Sequence, residues 1–279
     1  MPSVAPPSLA IPSSAPHRRP RLAAALATLL AATAVQAQVS LDRTELVLRP
    51  DSAARRSGVM IVRNTGPARA EAVIRTEDWD RAADGAHRFY EAGTQPGSCA
   101  TVLTIAPLEF TLARGESRAV QVGVEGPVNS ACWSLVLVET VERVRDETGR
   151  VVLATVRTGM KVYAEPSDSR ALGEVSAVEV EASEAAHSDA ARSGARQAAV
   201  TFRNTGERHL RGEGRVEIRR ADDSVLATLP LPALQALPGA VMTARVALPA
   251  TLKGRYRLRA VVEYGGASAA AAEREAAIP

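Results

Sequence analysis

Residues 151–163 constrain the fold more than any other stretch of the chain. They read VVLATVRTGMKVY, in which the even positions are nearly all apolar whereas the odd positions include Arg157 and Lys161. A period of two is typical of a β-strand with one apolar face. The polar segment 146–149 ends in glycine and follows another apolar run, 132–144, so we expect the two runs to pair as a hairpin.

Strand-length apolar runs separated by turn residues continue along the chain, and no window has the periodicity of an amphipathic helix. The predicted strands are 39–50, 57–63, 69–76, 88–90, 102–105, 110–112, 119–124, 132–144, 151–163, 173–181, 198–203, 214–219, 225–230, 241–248 and 256–264. Residues 77–97 read as a polar loop around the short strand 88–90, and the alanine-rich segment 267–279 reads as a weak edge strand or a frayed tail. This pattern predicts an all-β protein built from antiparallel β-sandwiches.

A short repeat indicates two related domains. The tetrapeptide Arg-Asn-Thr-Gly begins at Arg63 and again at Arg203, each time at the end of the second apolar strand of a strand series. A polar stretch, 164–169, separates the two series. We therefore predict domains at 38–165 and 166–279.

The first 37 residues have the features of a signal peptide. Three arginines precede an apolar run, 22–35, and small residues stand at positions 35 and 37. The sequence therefore predicts an exported, periplasmic protein that does not span the membrane after cleavage. Removal of this segment leaves 31 basic and 31 acidic side chains, so nucleic acid is not an expected partner.

The only two cysteines, Cys99 and Cys132, are expected to form a disulfide in an exported chain. Such a bond would close a loop of about 33 residues, which the chain-entropy model rates at roughly 3 to 4 kcal/mol. The alternative is a pair of buried free thiols.

Three motifs of the first series resemble a known family. They are VSLDRT from Val39, IAPLEFTL from Ile105, and RTGMKVY from Arg157. Together they resemble the periplasmic chaperones of chaperone-usher pilus assembly, which act by donor-strand complementation. The resemblance covers roughly residues 39–166 and implies two immunoglobulin-like β-sandwich domains.

The resemblance also implies a binding site. An Arg of the opening strand and a Lys near the end of the seventh strand hold the subunit's terminal carboxylate, and these positions correspond to Arg43 and Lys161. The chain has 32 Arg and only two Lys, so a Lys at this position is notable. Each charge-assisted bond to a carboxylate contributes about 1.5 to 3 kcal/mol. The alternative is that both cations are simply solvated.

The same strand of the family carries alternating side chains that fill the groove of the subunit. The corresponding donor-strand residues here are Val152, Ala154 and Val156. The alternative is that this apolar face packs only into its own sandwich.

No motif for catalysis, phosphate binding or metal ligation is present, so we expect no enzyme activity and no cofactor. The expected partner is a secreted pilus or surface subunit, with an outer-membrane usher as a further candidate. The competing hypothesis is a structural or adhesive two-domain β-sandwich without chaperone activity.

Overall fold

The computed structural model describes residues 39–145, 148–183, 195–265 and 269–278. The predicted signal peptide and residues 146 and 147 of the predicted hairpin turn lie outside these ranges. The first ten strands are β1 (Val39–Leu41), β2 (Glu45–Leu48), β3 (Ser57–Asn64), β4 (Ala70–Arg81), β5 (His87–Glu91), β6 (Leu103–Ala106), β7 (Glu109–Leu112), β8 (Ser117–Val124), β9 (Cys132–Arg145) and β10 (Val151–Ala164). The other eight are β11 (Gly173–Ala182), β12 (Arg196–Asn204), β13 (Leu210–Arg219), β14 (Val225–Pro230), β15 (Leu234–Ala236), β16 (Val241–Ala247), β17 (Gly254–Glu263) and β18 (Ala269–Ile278). One turn of 3-10 helix, Ala53–Arg55, precedes β3.

Strands β1 to β10 form the first sandwich. One sheet has the order β1-β3-β8-β6, and the other has the order β2-β10-β9-β4-β5, with β7 also paired to β4. Neighbouring strands are antiparallel except β10 and β2, which run parallel. The opening segment is thus shared between the two sheets, as in immunoglobulin-like sandwiches. Buried aliphatic side chains such as Met60, Val62 and Val138 fill the space between the sheets.

Strands β11 to β18 form the second sandwich. Its sheets have the orders β11-β12-β16 and β14-β13-β17-β18, and β15 pairs with β13. Phe202, Ile218 and Leu258 lie in a separate buried core between these sheets. The all-β fold of two immunoglobulin-like sandwiches is therefore confirmed, and the predicted limits 38–165 and 166–279 stay predictions.

The predicted opening strand, 39–50, is wrong in one respect, because the structure divides it between two sheets. The Asp42 amide donates to the Ile61 carbonyl at 3.1 Å, and the Asp42 carboxylate accepts the Ile61 amide at 2.8 Å. The side chain of Asp42 thus replaces the next ladder bond, and the chain crosses to the other sheet. Arg43 lies in this crossing between β1 and β2 rather than within a strand.

The predicted polar loop 77–97 is also wrong in its first part, since β4 continues through it to Arg81. The carboxylates that suggested a loop have local partners. Asp78 accepts the amides of Thr94 and Gln95 at 2.9 and 3.0 Å, and Asp80 accepts from Arg88 at 2.6 Å. Polar side chains that are satisfied in this way are compatible with a strand. The alanine-rich end of the chain, left open between an edge strand and a tail, is the ten-residue edge strand β18.

The repeated tetrapeptide marks the same corner in both sandwiches. The buried Asn64 side chain donates to the carbonyls of Ala68 and Leu112 at 2.7 and 3.1 Å, and its oxygen accepts the Gly66 amide at 2.9 Å. Asn204 makes the equivalent three bonds, to Arg208 at 2.8 Å, to Ala236 at 2.9 Å and from Gly206 at 2.9 Å. Each asparagine thereby joins three segments that would otherwise leave buried backbone groups unpaired.

Candidate functional site

The two halves of β10 differ in what covers them. Met160 and Val162 are fully buried in the core of the first sandwich. Towards the other end of the strand, Val151 and Leu153 are 56% and 70% exposed. The hairpin of β9 and β10 therefore extends beyond the core of the first sandwich. Only its foot, the end that contains Met160 and Val162, contributes to that core.

The projecting half of β10 also has a free backbone edge. Strand β9 pairs with all of β10, whereas β2 pairs with it only from Lys161 to Ala164. No other described strand pairs with residues 151–160. The Lys161 amide donates towards β2, to the Thr44 carbonyl at 2.9 Å. The ladder with β9 has no bulge, so the backbone N–H and C=O groups of residues 151, 153, 155, 157 and 159 face the same free edge.

The predicted donor residues lie along this free segment. Val152 is 41% exposed, and Ala154 and Val156 are half-buried. All three have the parity of the buried Met160, so they extend the core face of the sheet. None of the three belongs to a described core cluster, although Met160 and Val162 pack into the sandwich as the alternative interpretation expected.

Lys161 points to the opposite, outer face of the sheet. Its ammonium lies 4.7 Å from the centre of the Trp79 ring, within the range of a cation–π contact. The side chain is half-buried. Burial and the nearby charge of Arg81 both lower the pKa of Lys161, because each disfavours the protonated form.

Arg43 has a different environment from Lys161. Its guanidinium donates to the Asp42 carboxylate at 3.1 Å, and its side chain is 44% exposed. Arg43 directly precedes Thr44, the residue that accepts the Lys161 amide. The structure thus brings the backbone of the two predicted anchor residues close together, and gives Arg43 a carboxylate partner that Lys161 does not have.

Arg81 was missed by the sequence interpretation, which placed it in a loop. It ends β4 on the same outer face as Trp79, and its Nη2 lies 3.1 Å from His87 Nε2. Its Nε is buried and has no hydrogen-bond partner among the described residues. Residues 77, 79 and 81 have the two-residue spacing of one face of a strand, which could have predicted that Arg81 lies on the same face as Trp79. The acidic residues around them favoured a loop instead.

A second group missed from the sequence joins the two sandwiches beyond β10. Tyr163 stacks on His209 with ring centres 3.8 Å apart. Glu165 is buried, binds the His209 ring, accepts the His209 amide at 2.9 Å and lies 3.4 Å from Arg49. Burial alone would raise the pKa of Glu165, but the bonds and charge of His209 and the charge of Arg49 outweigh it and lower the pKa. Burial raises the pKa of Tyr163.

The predicted disulfide between Cys99 and Cys132 is confirmed. Cys132 is the first residue of β9 and pairs with Ala164 at the foot of the hairpin. The covalent link therefore fixes the end of the hairpin opposite to its exposed part.

The described residues contain no helix that is long and apolar enough to cross a membrane. Within the same ranges, no three His, Cys, Asp or Glu side chains are grouped closely enough to hold a metal ion.

Comparisons with known proteins give matches among solved structures only; no family model and no curated protein matches the chain. A structure of the chaperone–tip adhesin complex of CFA/I fimbriae biogenesis matches with 8% identity and a TM-score of 0.49, over 86% of this chain and 98% of that chain. The CsuC–CsuE chaperone–tip subunit complex of archaic chaperone-usher pili of Acinetobacter baumannii matches with 12% identity and a TM-score of 0.44, over 85% and 98%. The periplasmic chaperone SfaE matches with 11% identity and a TM-score of 0.37, over 86% and 100%.

Proposed function

We propose that this protein is a periplasmic chaperone that binds a secreted pilus or fimbrial subunit by adding the projecting half of β10 to the subunit's sheet. The observation that carries the proposal is the free edge of residues 151–159, where the alternate side chains of Val152, Ala154 and Val156 lie outside the described cores. An uncovered apolar edge favours pairing with another chain, and strand addition is a known mode of polypeptide recognition.

The proposed contact has two energetic components. Backbone groups at the five odd positions from 151 to 159 can pair with a guest strand, each bond contributing about 0.5 to 1.5 kcal/mol net. Val152 and Val156 can each contribute about 1.5 to 3 kcal/mol if the guest buries them fully. Ala154 is smaller, and the surface between the two valines can therefore accept a larger guest side chain.

The chain-terminal carboxylate of the subunit is proposed to bind at the foot of this edge. Lys161 supplies a half-buried ammonium there, and Arg43 is the second cation that the resemblance implies. Strand addition and ion pairing require neither nucleotide nor catalysis, so the proposal includes no enzyme activity. Delivery of the subunit to an outer-membrane usher is part of the same proposal.

The test is co-expression in the periplasm with a secreted fimbrial subunit from the same genome, followed by capture through a tag on the chaperone. Val156→Asp places a charge on the donor face, so we expect at least a tenfold loss of captured subunit. Leu153→Asp is the matched control, because Leu153 is more exposed but faces the other way. Lys161→Ala and Arg43→Ala report on the carboxylate contact.

Equal capture by Val156→Asp and Leu153→Asp would contradict strand addition. Failure of the wild-type protein to retain any fimbrial subunit would instead favour the structural or adhesive alternative. Thermal unfolding of each variant separates a binding defect from a folding defect.

A further inference from the structure

The free edge of β10 carries a single charge. Arg157 is the only charged residue among residues 151–160. It has the parity of Lys161, so its side chain lies on the outer face of the sheet, while its backbone groups face the free edge. Charged side chains on an edge strand oppose pairing with another chain. The position of the Arg157 guanidinium therefore affects how readily this edge can pair.

Two carboxylates hold the Arg157 guanidinium away from the edge. Its Nε lies 2.8 Å from a carboxylate oxygen of Glu139 on β9, and its Nη1 donates to Glu77 on β4 at 2.8 Å. Strand β9 lies between β10 and β4, and Glu77 is aligned with Lys161 rather than with Arg157 across it. The Arg157 side chain thus extends across β9 towards β4, which is the direction opposite to the free edge.

The two carboxylates are more enclosed than the cation that they bind. The Glu77 and Glu139 side chains are 24% and 18% exposed, whereas that of Arg157 is 53% exposed. The second oxygen of Glu139 lies 3.7 Å from Arg75 on β4. The four side chains form a neutral network on one face of the sheet. Exposed ion pairs contribute little to stability, so the fold itself does not depend on this network.

Small residues flank Arg157 on the outer face of β10. Thr155 and Gly159 are its neighbours on that face. The methyl groups of Leu135 and Leu137 take the space beside Gly159, since a Cβ built there would lie 3.0 and 3.2 Å from them. With the guanidinium drawn over β9, the β10 side chains beside the edge on this face are small and uncharged. A guest strand can therefore approach the edge without meeting a charge of β10.

We propose that Glu77 and Glu139 are positioning residues for strand addition, because they draw the Arg157 guanidinium over β9 and keep the edge of residues 151–159 open. This inference rests on the proposed function, since it concerns the same edge. Without the two carboxylates, the long Arg157 side chain would be free to turn over the edge. A guest strand would then have to desolvate an unpaired charge in order to pair with β10.

The test compares variants by periplasmic co-expression with the fimbrial subunit. Glu77→Gln combined with Glu139→Gln breaks both ion pairs and leaves Arg157 charged, so the amount of captured subunit should fall at least threefold. Arg157→Gln breaks the same ion pairs but removes the charge, so capture should stay within twofold of wild type. Adding Arg157→Gln to the double variant should restore capture to that level. A purely structural role of the ion pairs predicts instead that all three variants lose capture alike.

Arg75→Gln is the matched control. It removes an arginine of the same network that lies on β4, away from the free edge, so capture should not change. If the double variant does not fold, Glu77→Gln alone replaces it, because Glu77 makes the contact that draws Arg157 farthest across β9. This single variant should show a smaller loss that Arg157→Gln again restores.

A second readout does not depend on the fimbrial subunit. Hydrogen–deuterium exchange of the backbone amides of residues 151–159 is measured with and without an acetylated and amidated octapeptide of alternating Thr and Val. The peptide should slow exchange in the wild type and in Arg157→Gln, because a paired edge protects its amides. The protection should be at least threefold weaker in the double variant.

Three results overturn the inference. One is equal capture by the wild type and by the variant that lacks both Glu77 and Glu139. Another is a failure of Arg157→Gln to restore capture to that variant. The third is a peptide that leaves the exchange of residues 151–159 unchanged in the wild type, since the edge would then not be open.

The inference and the proposed function can fail separately. If capture depends on Val156 but not on the two glutamates, the inference fails and the proposed function stands. If the peptide results are as expected but Val156→Asp and Leu153→Asp capture the subunit equally, the proposed function fails and the open edge stands.

Discussion

The last strands of the two sandwiches, β10 and β18, have the same position in the chain topology and opposite surfaces. Both pair with the preceding strand over their whole length, and both leave an edge unpaired in the described chain. The exposed centre of β18 is Glu273, Arg274 and Glu275 among alanines, and two of these charges form ion pairs with neighbouring strands. The exposed end of β10 is Val151, Val152 and Leu153.

This difference concerns side chains rather than topology. Charges on an edge strand oppose pairing with another chain, whereas a row of β-branched and aliphatic residues favours it. The same fold therefore contains one edge that resists association and one that is suited to it. Changing the side chains of either edge therefore tests whether they cause the difference.

The largest effect should come from the disulfide, which only the β10 side possesses. Cys99→Ser combined with Cys132→Ser should lower the free energy of unfolding of the first sandwich by roughly 3 to 4 kcal/mol, because the unfolded chain loses a covalent loop constraint. Both tryptophans, Trp79 and Trp133, belong to the first sandwich. Tryptophan fluorescence during chemical denaturation should therefore show the loss. Wild-type protein with reductant is the control, and an unchanged midpoint would refute the prediction.

The second effect concerns the exposed edge itself. Replacing residues 151–153 by Glu-Arg-Glu, the sequence of residues 273–275, should reduce subunit capture at least tenfold, because Val152 is lost and charges would have to be desolvated. The midpoint of thermal unfolding should hardly change, since exposed side chains contribute little to stability.

The control for this exchange is Leu153→Glu alone, which should retain most of the capture because Leu153 faces away from the donor side. Undiminished capture by the triple variant would show that the apolar edge is not what distinguishes β10 from β18.

The smallest effect near neutral pH should come from Glu165, which joins the end of β10 to the second sandwich. Its pKa in the folded protein is below the ordinary value of 4.5. The stability it provides is therefore fully present above that ordinary value and is lost as the pH falls through the lower folded value. Thermal melts of wild type should be flat from neutral pH to about pH 5 and fall below it.

The matched variant, Glu165→Gln, lacks the titrating group and should show a weaker fall over the same acid range. A steeper fall in Glu165→Gln than in wild type would reverse the sign of the expected linkage.

The sequence predicted the strands best where alternation was uninterrupted. The β9–β10 hairpin agrees to within one residue at its described ends, and Gly149 of its turn has a φ of +82°, which suits glycine. A second local feature is the Tyr256 hydroxyl, which donates to the Lys253 carbonyl three residues earlier at 3.2 Å. Both features depend on local sequence, which is available without knowledge of the tertiary contacts.

The errors arose where a distant contact decides the structure. The change of sheet at Asp42 depends on Ile61, which is 19 residues away, and the extension of β4 depends on acceptance of backbone amides by Asp78. Of the candidate site, the sequence predicted Val152, Ala154 and Val156 as donor residues and Lys161 as an anchor, and these roles stay predictions. It did not identify Arg81 or the pairing of Glu165 with His209, because these depend on which strands become neighbours and on the second sandwich.

The matching corners at Asn64 and Asn204 provide a common reference within one molecule. Each amide group satisfies the same set of backbone partners at nearly the same distances. Solvent, temperature or ionic strength should therefore affect these two corners alike. Where the two halves respond differently to such conditions, the cause must be sought in features that they do not share.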